Sequence, residues 1–153
     1  MNKEKSIDVL NKLIEINNDR IEGYETASKE TKNADLKSLF FKLTQTSQKC
    51  KAELVGEVAK LGGTPIEGTK MSGKFFRAWM DVKAALTSND DKMIFESCEY
   101  GEDVAVGTYD KVLKNNLEDI STEQKSILNT QHMLLKADHD KVKGMRDALV
   151  EHK

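Results

Sequence analysis

The chain has 153 residues, a third of them charged, yet its net charge at neutral pH is only −2. Charges that nearly cancel speak against an electrostatic footprint for nucleic acid and against a polybasic membrane patch. No apolar run approaches the length of a membrane span and the Met1-Asn-Lys-Glu-Lys5 start has no apolar signal core, so the expectation is a cytosolic protein with one domain over 1–153.

A single proline, abundant Lys, Glu, Leu and Ala, and no alternating Val/Ile/Thr-rich run together predict an all-helical chain. The first long helix is expected from about Ser6 to Thr31, on the stripe Ile7, Leu10, Ile14, Asn17, Ile21 and Tyr24. Asn33 and Asp35 mark a tight turn into a second helix carrying Leu36, Phe40, Leu43, Ser47, Cys50, Leu54, Glu57 and Leu61. Gly62-Gly63 with Pro65 just beyond is a stop signal, because glycine accepts the left-handed conformation that closes a helix.

A connection from Gly62 to Ser88 follows, and Phe75, Phe76, Trp79, Val82 and Leu86 within it are spaced as one face of a short crossover helix. The third long helix is expected after Ser88 as N-cap and to run to about Asn115. Ser121-Thr-Glu-Gln124 reads as a capping box for a fourth, with the stripe Leu128, Gln131, Leu135, Asp138, Val142, Met145 and Leu149. Connections that are short, long and short force the second and third long helices to run parallel, which predicts a ferritin-like four-helix bundle.

The third long helix carries the most informative stretch, Glu96-Ser-Cys-Glu-Tyr-Gly-Glu-Asp103. Extending the stripe Phe95, Val106, Tyr109, Leu113 through it places Glu99 and Glu102 on the inward face, where carboxylates are costly unless paired, protonated or bound to a cation. A stripe one step round (Ile94, Cys98, Gly101, Ala105, Thr108, Val112) would leave both glutamates on the flanks. Cys50 and Cys98 lie inside helices near apolar neighbours, and buried free thiols are expected.

Near mid-height all four stripes turn small or polar: Asn17, then Ser47 and Cys50, then Glu99 and Glu102, then Gln131 and Asp138 with His139 one step round. Buried polar groups need partners, so one connected interior layer is predicted, with Tyr24 and Tyr109 as core aromatics whose hydroxyls reach it. Phase drift along a straight helix would instead turn Asp138 or Glu57 towards solvent. Iron, manganese or zinc would take Glu99, Glu102 and His139, with Glu53 in reserve and Cys50 or Cys98 as unusual partners. Di-iron sites in bundles use Glu-x-x-His, and the residues three before His132, His139 and His152 are Asn129, Lys136 and Leu149, so that motif is missing. His139, between Asp138 and Asp140, is either a ligand held by a carboxylate or a salt-bridging surface residue, whereas His132 and His152 are expected at the surface.

The strings Asn17-Asn-Asp-Arg-Ile-Glu-Gly-Tyr24, Leu61-Gly-Gly-Thr-Pro65, Cys98-Glu-Tyr-Gly-Glu-Asp103 with Tyr109, His139-Asp140 and Met145-Arg-Asp147 resemble a bacterial family of small ferritin-like bundle proteins of unknown function. A remoter similarity is to bacterioferritin. It implies that Ser47 and Cys50 stand at that family's Glu-x-x-His positions, Asn17 at its first glutamate and Lys136 at the glutamate before His139, leaving Glu102 or Glu99 retained. The resemblance therefore implies a degenerate di-iron site and a non-catalytic binding or stress-related protein, able to pair with itself or with a partner protein. A metal-dependent redox protein is the alternative, and a small-molecule carrier using space beside Ser47, Cys50, Gly101 and Ala105 is a third reading.

Overall fold

A computed structural model describes residues 2–69 and 74–151. They form five α-helices and one 3-10 turn, with no strand among the described residues. The helices are α1 (Lys3–Glu30), α2 (Ala34–Lys60), α3 (Lys74–Thr87), α4 (Asp91–Asn115) and α5 (Thr122–Glu151); the turn, Leu117–Asp119, links the last two.

Local chemistry sets most of the boundaries. Asn2 Oδ1 accepts from the amides of Glu4 and Lys5, and Asn33 Oδ1 does the same for Asp35 and Leu36, filling donors that a helix start leaves open. The end of α2 has Gly62 at φ 78°, with Gly63 N–H donating to the Val58 carbonyl and Gly62 N–H to Ala59. That is the double closure which favours glycine. The capping box before α5 is reciprocal: Gln124 N–H donates to Ser121 Oγ at 3.1 Å, and Ser121 N–H to Gln124 Oε1 at 2.9 Å.

One cap differs from expectation. The α4 N-cap is Asp90, whose Oδ1 accepts from Met93 N–H, while the Ser88 hydroxyl donates back to the Ala84 carbonyl. Asn89 adopts φ 55°, a left-handed value that asparagine tolerates, and this turn moves the cap two residues on.

The connection between α2 and α3 first follows α1. Asn11 grips it twice, donating to the Thr64 carbonyl and accepting from Ile66 N–H, and Asn18 donates to the Gly68 carbonyl. Numbers rise together on both segments, so the chain climbs back alongside α1 before α3 packs on α4 and α1. Across the α1–α4 interface Asn17 faces Tyr109 and Arg20 faces Glu102, so these helices are antiparallel. His132 opposite Asp110 and His139 opposite Asp103 make α5 antiparallel to α4 as well. With α2 antiparallel to α1, α2 and α4 run parallel, as the long connection requires.

The apolar core is in two parts. One gathers Leu10, Leu13, Ile14, Leu54, Val58, Tyr109, Val112 and Leu128; the other gathers Phe40, Leu43, Val82, Ala85, Ile94, Phe95 and Val142. His152 lies outside the described residues, as do the side chains of Phe75, Phe76 and Leu149.

Two helix registers also differ from expectation. On α4 the buried stripe is Ile94, Cys98, Gly101, Ala105 and Val112, with Glu102 and Tyr109 beside it, whereas Glu99, Val106 and Leu113 are only half-buried. On α1 the buried face is Leu10, Leu13, Ile14, Asn17, Arg20, Tyr24 and Ala27, and Ile7 and Ile21 move to its edge. Glu57 remains buried and pairs with Lys60.

Candidate functional site: an ion pair at the centre of the helices

Between the two apolar clusters lies a polar layer built around a residue not among the expected ones. Arg20 is fully buried, with 0% of its surface exposed, and Glu102 opposite it is 1% exposed. The guanidinium grips the carboxylate at both oxygens, Nε donating to Oε2 at 2.9 Å and Nη2 to Oε1 at 2.6 Å. Such a fork-on-fork pair is the strongest ordinary way to hold a buried carboxylate. Nη1 donates to Ser47 Oγ at 2.5 Å, and Nη2 also reaches Asp138 Oδ2 at 3.3 Å. The Tyr24 hydroxyl donates to Glu102 Oε2 at 3.0 Å, and its ring lies under the guanidinium, 5.6 Å from the centroid.

A second branch starts from the same point. Ser47 donates to Asn17 Oδ1 at 2.8 Å, and Asn17 Nδ2 donates to the Tyr109 hydroxyl at 2.9 Å. Tyr109 donates to Gln131 Oε1 at 2.7 Å, and Gln131 Nε2 donates to the Cys50 carbonyl and to Glu53 Oε1. Asn17, Tyr24, Ser47, Cys50, Glu102, Tyr109, Gln131 and Asp138 thus belong to one network that ties all four long helices together. Asn18 Oδ1 is the one buried side-chain polar atom without a hydrogen-bond partner among the described residues, so the layer is saturated by its own members.

The electrostatics follow from the burial. Burial works against the Arg20 charge, but the Glu102 carboxylate, helped by Asp138, more than offsets it and holds the guanidinium above its ordinary pKa. Burial and then Glu102 push the Tyr24 hydroxyl well above its usual range. Burial does the same for Tyr109 and Cys98, and it raises the Cys50 thiol to about 11.

Of the four metal-ligand candidates, Glu99 and His139 fall in one cluster, and Glu102 and Glu53 are not part of it. Both Glu102 oxygens are taken by Arg20 and Tyr24. Glu53 is exposed and engages Gln131 from α2. Glu99 sits on the flank of α4, paired with Arg146 of α5, and His139 is 4.0 Å from it. His139 meets Asp103 more closely, at 2.5 Å. His132 is half-buried and hydrogen-bonded to Asp110 at 2.6 Å, more engaged than a free surface histidine.

A cation at the centre would need lone pairs from several carboxylates or imidazoles. The centre offers one fully buried carboxylate, Glu102, already saturated, and Asp138 at its edge, both drawn to the permanent positive charge of Arg20. The residues present there do not fit a di-metal centre. The guanidinium also donates to Ser47, one of the residues beside which the small-molecule reading places its space.

Arg20 was legible in principle. Leu13, Asn17, Arg20, Tyr24 and Ala27 keep a 4-3-4-3 spacing, as regular as the stripe through Ile21. Choosing between the two stripes by hydrophobicity selects isoleucine over arginine.

Residues 5–115 match a family model described as a domain of unknown function (DUF2383). The match runs from Lys5, in the first turn of α1, to the last residue of α4 and leaves α5, which supplies Gln131, Asp138 and His139, outside it. No curated protein matches the chain.

Proposed function

The chain belongs to the DUF2383 family, and from that premise we propose that it is a ferritin-like bundle whose central metal position has been taken over by an arginine–glutamate pair. It acts as a non-catalytic binding or structural protein, in a stress-related role suggested by the wider ferritin-like class. The helix directions and the long connection between α2 and α4 support the ferritin-like reading. The observation that carries the functional reading is the two-point grip of Arg20 on Glu102. A guanidinium supplies the positive charge that a buried glutamate requires, but it has no second redox state and no open coordination position. The neutral Asn17 and Ser47, at positions that the similarity to bacterioferritin gives to glutamates, and Cys50, at the position it gives to a histidine, complete the exchange of a metal centre for a hydrogen-bonded one.

Iron(II) oxidation in air tests this. The purified chain is expected to oxidise iron(II) at the rate of buffer alone, and Glu102→Gln is expected to leave that rate unchanged. Oxidation faster than buffer by wild type, abolished by Glu102→Gln, would overturn the reading.

A further inference from the structure

Outside the central layer, the seam between α4 and α5 carries a second cluster. Glu99 and Asp103 are one helical turn apart, so both side chains leave the same face of α4. His139 of α5 reaches between them, its Nε2 lying 2.5 Å from Asp103 Oδ1 and 4.0 Å from Glu99 Oε1. One ligand atom from each of the three lies within 4.8 Å of the others.

The outer contacts give this cluster a direction. His139 Nδ1 is 3.2 Å from Asp140 Oδ1, a contact that a proton on Nδ1 would close, and the other ring nitrogen is turned towards the seam. In a neutral ring that nitrogen presents a lone pair, and it faces carboxylate lone pairs on Asp103 and Glu99. The 2.5 Å contact with Asp103 is closed either by a ring proton on Nε2 or by a metal ion. Glu99 is divided in the same way, with Oε2 held by Arg146 and Oε1 left towards His139. A histidine steadied by one carboxylate, and a carboxylate steadied by an arginine, is the outer arrangement that orients metal ligands.

We propose that this seam binds one first-row divalent metal ion of the zinc type through Glu99, Asp103 and His139, with the remaining position open to water. The surroundings are acidic: Glu99, Asp103 and Asp140 lie within 4.0 Å of the His139 ring, and Arg146, which holds Glu99, also pairs with Asp147. Two carboxylates and an imidazole suit zinc, manganese or iron(II). Zinc bonds of about 2.0–2.2 Å hold neighbouring ligands about 3.3–3.5 Å apart. Asp103 must therefore draw back from His139, and its side chain, 60% exposed, can do so without backbone movement. That exposure also gives the ion its way in. None of the three ligands is bonded to Arg20, so the site stands whether or not the reading of the central layer does.

Titration of the full chain with zinc chloride, followed by calorimetry, tests the proposal. One equivalent is expected to bind, with affinity at least tenfold weaker in His139→Ala and in Asp103→Asn, and unchanged in His132→Ala. Nitrogen NMR of the histidine rings gives a second readout independent of folding changes in the variants. Zinc should move the His139 Nε2 signal of wild type from the position of a free ring nitrogen. No saturable binding, binding indifferent to both seam variants, binding lost in His132→Ala, or a His139 ring doubly protonated and unmoved by zinc would each overturn it.

Discussion

Glu102→Ala is expected to lower the free energy of unfolding by about 3–5 kcal/mol, the cost of breaking a buried ion pair from one side. The variant removes the acceptor for two Arg20 donors and for the Tyr24 hydroxyl. Arg20 keeps only Ser47 and the more distant, partly exposed Asp138, so a guanidinium would remain buried without an adequate counter-charge. Replacing both partners by apolar residues, Arg20→Met with Glu102→Leu, should recover most of the loss. Desolvating two charges costs nearly as much as their attraction returns. Urea unfolding of the three variants measures both effects. A loss below about 1 kcal/mol in the single variant is the size seen for solvated surface pairs, and would contradict burial of this one.

Alkali is expected to weaken the fold by a comparable amount. Burial holds the Cys50 thiol at about 11 against an ordinary 9.0. A group that binds its proton more tightly when folded contributes stability that is complete below the unfolded pKa and disappears as pH rises through the folded one. For Cys50 that window runs from about pH 9 to pH 11, and the two units correspond to about 2–3 kcal/mol. Cys98, Tyr24 and Tyr109 are pushed up as well and extend the decline further into alkali. Arg20 keeps its charge throughout, so the central pair is not what fails first. Thermal unfolding across this range should show a falling midpoint whose slope is reduced in Cys50→Ala. A midpoint flat to pH 11 would contradict the burial of these groups.

Much of the architecture was legible because it rests on local chemistry. Caps such as Asn33 and the Ser121–Gln124 box announce helix starts, and Gly62-Gly63 announces a stop. The interior polar layer could be read from stripes that lose their apolar residues at the same height. The phase of those stripes was not legible to one residue. On α4 two stripes one step apart are both plausible, and a rotation of one residue separates Glu102, inside, from Glu99, on the flank. On α1 the hydrophobic choice of Ile21 hid Arg20, since nothing local to α1 announces a carboxylate waiting on α4. The Glu99–Asp103–His139 cluster was legible in part: the sequence pairs Glu99 and His139 as candidates from different helices, whereas Asp103, one turn on from Glu99, is passed over for Glu102 because the inward stripe is extended one step too far round. Asp90 stands as the cap in place of Ser88, past the left-handed turn at Asn89.

The most direct measurement is hydrogen exchange at the arginine Nε–H groups. Arg20, Arg77 and Arg146 are the arginines of the chain, and among them Arg20 is fully buried with its Nε–H committed to Glu102. The arrangement predicts one strongly protected Nε–H signal, absent in Arg20→Lys and fast-exchanging in Glu102→Gln. If all three signals exchange at solvent rates, Arg20 does not hold Glu102 in the interior, and the central ion pair is not the feature around which these helices are built.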